Sequence, residues 1–129
     1  MRAEVKHAKN SNEFYINEGC FITELSNSAE DAEVSIARAR VKPGVTTRWH
    51  RLINTTERYV ILEGKGRAEI GNLPATEVVA GDVVLIPPLC RQRISNTGSE
   101  DLIFLAICSP RFTSHAYEDI DAESASDND

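Results

Sequence analysis

Long apolar runs are absent from this chain of 129 residues, and cysteine is scarce. No stretch approaches the roughly 20 apolar residues that cross a bilayer as a helix. The segment from Met1 to Asn10 is polar and lacks the apolar centre of a secretory leader, so a cytoplasmic location is expected. The three cysteines, Cys20, Cys90 and Cys108, are odd in number, widely spaced and free of any Cys-x-x-Cys pair. That excludes a disulfide framework and a zinc knuckle. Each cysteine reads as a small buried hydrophobe.

An excess of charge is also missing once its location is considered. The net charge is −6, but six of the 20 acidic residues lie between Glu118 and Asp129, where there is no basic residue. The remaining 14 acidic residues are matched by 14 basic ones. The body is therefore neutral and carries no basic stripe, which argues against a nucleic-acid partner. The expected organisation is one domain over residues 1–117, followed by an acidic disordered tail over 118–129. A hydrophobic fraction of 41% suffices for one core.

What the chain does have is a succession of short β-branched and aliphatic runs divided by turn residues. Strands are expected at Cys20–Ser26, Glu33–Val41, Arg48–Leu52, Glu57–Leu62, Arg67–Ile70, Thr76–Val79, Val83–Ile86, Arg91–Ser95 and Leu102–Cys108. Lys42-Pro43-Gly44, Gly71-Asn72, Ala80-Gly81-Asp82 and Asn96-Thr97-Gly98 supply the turns. Pro87-Pro88 and Pro110 end strands because proline cannot donate to a ladder. Thr113–Ile120 is the one segment compatible with a short helix. Many short strands at close spacing imply an all-β sandwich or barrel.

Two spaced residue sets add to this. Gly44 is followed after five residues by His50, then at like intervals by Glu57 and Gly64. Downstream, Gly81 is followed after five residues by Pro87, and then come Gln92 and Asn96. In order and spacing this resembles the two signature motifs of the cupin superfamily. The resemblance implies a double-stranded β-helix, or jelly-roll barrel, with one deep pocket. It also implies a homodimer. The family holds a divalent metal with three histidines and a glutamate. The corresponding positions here are His50, Leu52, Glu57 and Gln92, with Leu52 and Gln92 departing from the pattern.

Alternation carries those positions to one wall. His50 shares parity with Arg48 and Leu52, Glu57 with Tyr59 and Ile61, and Gln92 with Ile94. In a small barrel, inward faces meet around one cavity. His50, Glu57 and Gln92 are the candidate ligands for a divalent metal (Mn, Fe, Zn or Ni). The alternative is a metal-free polar network in which Glu57 and Gln92 hydrogen-bond to His50. Recruitment of Asn54 or Cys90 as a spare ligand is a third option. Tyr59 is placed in the pocket as a hydroxyl donor. Trp49, of opposite parity, is expected outside the lumen or at a subunit interface. Arg91 and Arg93 are expected outside, Arg38 and Arg40 in solvent, and Cys108 packs on the lumen side. His7 and His115 read as solvent-exposed.

Three functions follow, each on a small molecule. The first is a metal-dependent oxygenase or isomerase, with His50, Glu57 and Tyr59 as catalytic groups. The second is a metal-free isomerase with His50 and Glu57 as an acid–base pair. The third is a non-catalytic ligand-binding module.

Overall fold

Alternation along the strands decides the architecture. The computed structural model describes residues 1–122. Its strands are β1 (Glu13–Ile16), β2 (Cys20–Ser26), β3 (Ser35–Val41), β4 (His50–Leu52), β5 (Thr56–Glu63), β6 (Lys65–Ile70), β7 (Thr76–Val79), β8 (Val83–Ile86), β9 (Gln92–Asn96), β10 (Leu102–Ser109) and β11 (Tyr117–Asp119). They form a six-stranded sheet in the order β1-β2-β3-β10-β5-β8 and a five-stranded sheet in the order β11-β4-β9-β6-β7. All pairings are antiparallel. This is the expected jelly roll. No helix among the described residues is long and apolar enough to cross a membrane.

The inward residues change character along each strand. On β3 the inward set is Ser35, Ala37, Ala39 and then Val41; on β10 it is Cys108, Ala106, Phe104 and then Leu102. These two strands pair with Ser35 opposite Cys108, Ala37 opposite Ala106 and Ala39 opposite Phe104. At the other end Val41, Leu102, Ile61, Ile70, Ile86 and Ile94 fill the space between the sheets as one core. Small side chains at one end thus leave a cavity, and branched aliphatics at the other close the barrel.

Gly64 shows why one motif glycine is needed. Its φ is +89°, and a Cβ there would come within 2.7 Å of the Asp101 carbonyl oxygen. The β5–β6 turn therefore lies directly against the start of β10, and only glycine allows it.

Two expectations are corrected at the C-terminus. Thr113–Ile120 is not a helix: a single 3-10 turn at Ser114–Ala116 leads into β11. The body also runs past residue 117. β11 pairs with β4, placing Glu118 opposite Arg51 and Asp119 opposite His50. Ile120 is buried, its N–H donates to the Trp49 carbonyl, and the Trp49 N–H donates to the Asp121 carboxylate. Of the expected tail, 123–129 lie outside the described residues.

Candidate functional site: a desolvated His–Glu pair in the barrel mouth

The cavity has a volume of about 500 Å³, and its lining includes the β1–β2 turn and the segment around Phe112 and Tyr117. That is the size of a small-molecule pocket. His50, Glu57 and Tyr59 line it, as their parity requires. Gln92 is fully buried behind them.

β4 places His50 between β11 and β9, in register with Asp119 on one side and Gln92 on the other. The ring is 2% exposed and stacks on Tyr117, with centroids 5.2 Å apart and planes 18° from parallel. Nδ1 lies 2.8 Å from the Arg48 carbonyl oxygen. A carbonyl only accepts, so Nδ1 carries a proton and donates it there. Nε2 is then the nitrogen free to take or hold a second proton. It lies 3.5 Å from a carboxylate oxygen of Glu18.

Glu57 is 8% exposed. Cys108 Sγ–H donates to its Oε2 at 3.6 Å, while Oε1 has no hydrogen-bond partner. Burial pushes the carboxyl up to about 7. The charge on His50 opposes that rise, the charge on Glu18 adds to it, and the Cys108 thiol and Gln92 amide oppose it weakly. The Gln92 amide is near enough to favour the carboxylate, yet its Nε2 makes no hydrogen bond of proper geometry. A buried donor and a buried acceptor are thus left bare side by side.

Tyr59 Oη–H donates to Gln92 Oε1 at 2.5 Å. Burial first, and then the neighbouring carboxylates Glu57 and Glu18, hold the phenol well above its ordinary range. Tyr59 is therefore a fixed donor. The thiols of Cys20 and Cys108 are also pushed up, mainly by burial, and stay protonated.

A metal fits this donor set poorly. Leu52 presents no donor, and the one oxygen of Gln92 is taken by Tyr59, leaving the amide N–H₂ side toward Glu57. Among the described residues, no three His, Cys, Asp or Glu side chains converge to hold an ion. Gln92, the third ligand the sequence suggested, here accepts from Tyr59 through its amide oxygen. Asn54 and Cys90 are not among the lining residues either.

Other side chains fall on both sides of expectation. Arg48, expected to share the inward face of His50, instead turns outward to pair with Asp119 at 2.7 Å. Arg40 pairs outside with Glu13 and Asp101. Trp49 lies on the outer face between the guanidinium groups of Arg91 and Arg93, 4.6 and 4.3 Å from its ring. Among the lining residues that escaped the sequence reading are Glu18, Glu24 and Tyr117. Glu18 sits in the β1–β2 turn, where Gly19 takes φ +105° and the Arg48 N–H donates to the Glu18 carbonyl. That anchoring turns its carboxylate toward His50. The Asn17-Glu18-Gly19 turn immediately before a strand was the available signal.

With this geometry in place, comparison with known proteins gives the family. Residues 37–108 match the cupin domain family, and the chain belongs to it. An uncharacterized protein of Methanocaldococcus jannaschii is 33% identical over 102 residues, covering 78% of this chain and 81% of that one. A glucose-6-phosphate isomerase of Thermococcus onnurineus is 29% identical over 108 residues, covering 74% of this chain and 57% of the relative's length. Among solved structures, the nucleoside dehydratase Pac13 of Streptomyces superposes with a TM-score of 0.78 at 17% identity, covering 93% of this chain and 92% of that one. This last likeness is one of fold.

Proposed function

We propose that the protein is a metal-independent enzyme that moves protons on a small organic molecule, in an isomerisation or a dehydration. The observation that carries this is that His50 and Glu57, both buried, line one cavity. The histidine has Nδ1 committed to the Arg48 carbonyl and Nε2 facing the Glu18 carboxylate at 3.5 Å. The carboxyl is held near neutrality by burial. Such a pair supplies a base and an acid at the same pH. His50 Nε2 takes a proton from a substrate carbon, and the protonated Glu57 carboxyl delivers one, to carbon in an isomerisation or to the departing hydroxyl in a dehydration. Tyr59, its own proton donated to Gln92, presents its oxygen on the same wall. The names of an isomerase and a dehydratase among the similar proteins agree with proton-transfer chemistry.

The test is hydrogen exchange. The protein is incubated in D₂O with a panel of small hydroxy-carbonyl compounds, with and without EDTA, and the compounds are followed by NMR. Exchange at a carbon acid that survives EDTA and falls at least about 100-fold in His50→Ala supports the reading. Exchange that appears only with added Mn²⁺, Fe²⁺, Zn²⁺ or Ni²⁺ overturns it in favour of a metalloenzyme. Ligand binding without exchange anywhere in the panel leaves a binding module.

We propose a homodimer as the assembly. Leu62, Val83 and Leu85 stand exposed on neighbouring strands of the six-stranded sheet, an apolar surface that a second copy would cover.

A further inference from the structure

Several acids outside the barrel are answered by arginines. Glu13 pairs with Arg40, Glu118 with Arg51 and Glu69 with Arg93. At the rim of the cavity Asp119 pairs with Arg48. Inside, the pattern stops. Glu18, Glu24 and Glu57 all line the cavity, and among the described residues none of them is paired with a lysine or arginine. No lysine or arginine is among the lining residues, and His50 is the one group there that can carry positive charge.

Two of these carboxylates act on one another, and the third acts on a thiol hydrogen-bonded to one of them. Glu18 acts electrostatically on Glu57, and Glu24 on Cys108, the donor to Glu57. Like charges sharing a poorly solvated space repel strongly. Glu57 is more than nine-tenths buried, and its Oε1 has no partner. Around them the wall is aromatic, with Phe14, Tyr59, Phe104, Phe112 and Tyr117. Aromatic faces attract cations and not anions.

We propose that the cavity takes a positively charged small molecule, a protonated amine or a quaternary ammonium, and that Glu18 and Glu24 select it. A phosphorylated or carboxylate-bearing molecule would meet three acids and no lysine or arginine, with His50 alone able to carry positive charge. In this respect the site differs from what a relative acting on a sugar phosphate would require. As the substrate of the reaction, this class rests on the proton-transfer reading above. As a binding preference it does not.

The experiment uses three probes of one shape and different charge: benzylamine, benzyl alcohol and benzoate. Each is titrated into the full chain at about pH 8, where the amine is charged and the carboxyls are ionised, and followed by ligand-observed NMR. Benzylamine is expected to bind at least about ten-fold more tightly than benzoate. The Glu18→Gln and Glu24→Gln variants, singly and together, should erase that preference while benzyl alcohol binds as before. The alcohol serves as the folding control. Ammonium selectivity in a wild type that shows no deuterium exchange removes the catalytic reading alone. Benzoate binding as tightly as benzylamine, or a preference that survives in the double variant, overturns the proposal. So does displacement of benzylamine by equimolar Mn²⁺, Fe²⁺, Zn²⁺ or Ni²⁺, which would assign the carboxylates to a metal.

Discussion

The two ends of the barrel share strands and differ in purpose. At the closed end Val41, Ile61, Ile94 and Leu102 are all but inaccessible and fill the lumen. At the mouth the same strands carry Ser35, Ala37, Glu57 and Ala106, and the lumen stays open. The closed end supplies the apolar burial that stabilises the fold. That stability lets the mouth keep a half-bonded carboxyl and an orphaned amide, arrangements that cost stability anywhere in a protein. A strand here is a scaffold over one half of its length and a site over the other.

The comparison can be broken most severely from the closed end. Leu102→Ala should lower unfolding free energy by about 2–5 kcal/mol, measured by urea titration, because packed branched neighbours cannot collapse into the gap. The reverse change at the mouth, Ala106→Leu, should leave stability within about 1 kcal/mol and abolish small-ligand binding in the same NMR titration. Equal destabilisation by both would show that the two ends are not distinct.

Glu57→Gln sharpens the difference through pH. The folded carboxyl is raised from an ordinary 4.5 to about 7, so the native state holds a proton that the unfolded chain releases. Its ionisation therefore works against folding: the cost is absent below 4.5, grows between 4.5 and 7, and is complete above. The variant should match wild type at low pH and gain melting temperature as pH rises. The gain is on the order of 3 kcal/mol at most. A constant offset across pH would remove burial as the cause. Tyr59→Phe strips Gln92 Oε1 of its donor and should cost about 1–3 kcal/mol with no pH dependence below 9 or so. The smallest effect belongs to the outer surface. Leu85→Glu should change stability by about 0.5 kcal/mol or less, yet shift the mass seen by light scattering from dimer to monomer. A wild type that is monomeric at working concentrations removes the proposed assembly.

The sequence carried the barrel well because its turns are chemically explicit. Thr76–Val79 and Val83–Ile86 are bounded by Ala80-Gly81-Asp82 and Pro87-Pro88, and both strands begin and end where those residues require. β1 and β11 were not legible. Glu13–Ile16 is mostly exposed, and Tyr117–Asp119 is three residues in an acidic run. Each is a strand only because a neighbour pairs with it, and pairing is a tertiary fact. The site divided in the same way. His50, Glu57 and Tyr59 share inward parity on their strands, so their convergence could be read. Glu18 and Tyr117 arrive on a turn and on the unforeseen strand. The role of Gln92 could not be read either, because which end of an amide faces which neighbour depends on the finished network.

Trp49 is the chain's single tryptophan. It immediately precedes His50, points to the opposite face of the sheet, and sits against two guanidinium groups. An indole emits according to the charges around it. A guest that displaces β4 from within the barrel shifts the indole relative to those charges, so occupancy of the cavity can be followed from outside by native fluorescence, without any label entering the site.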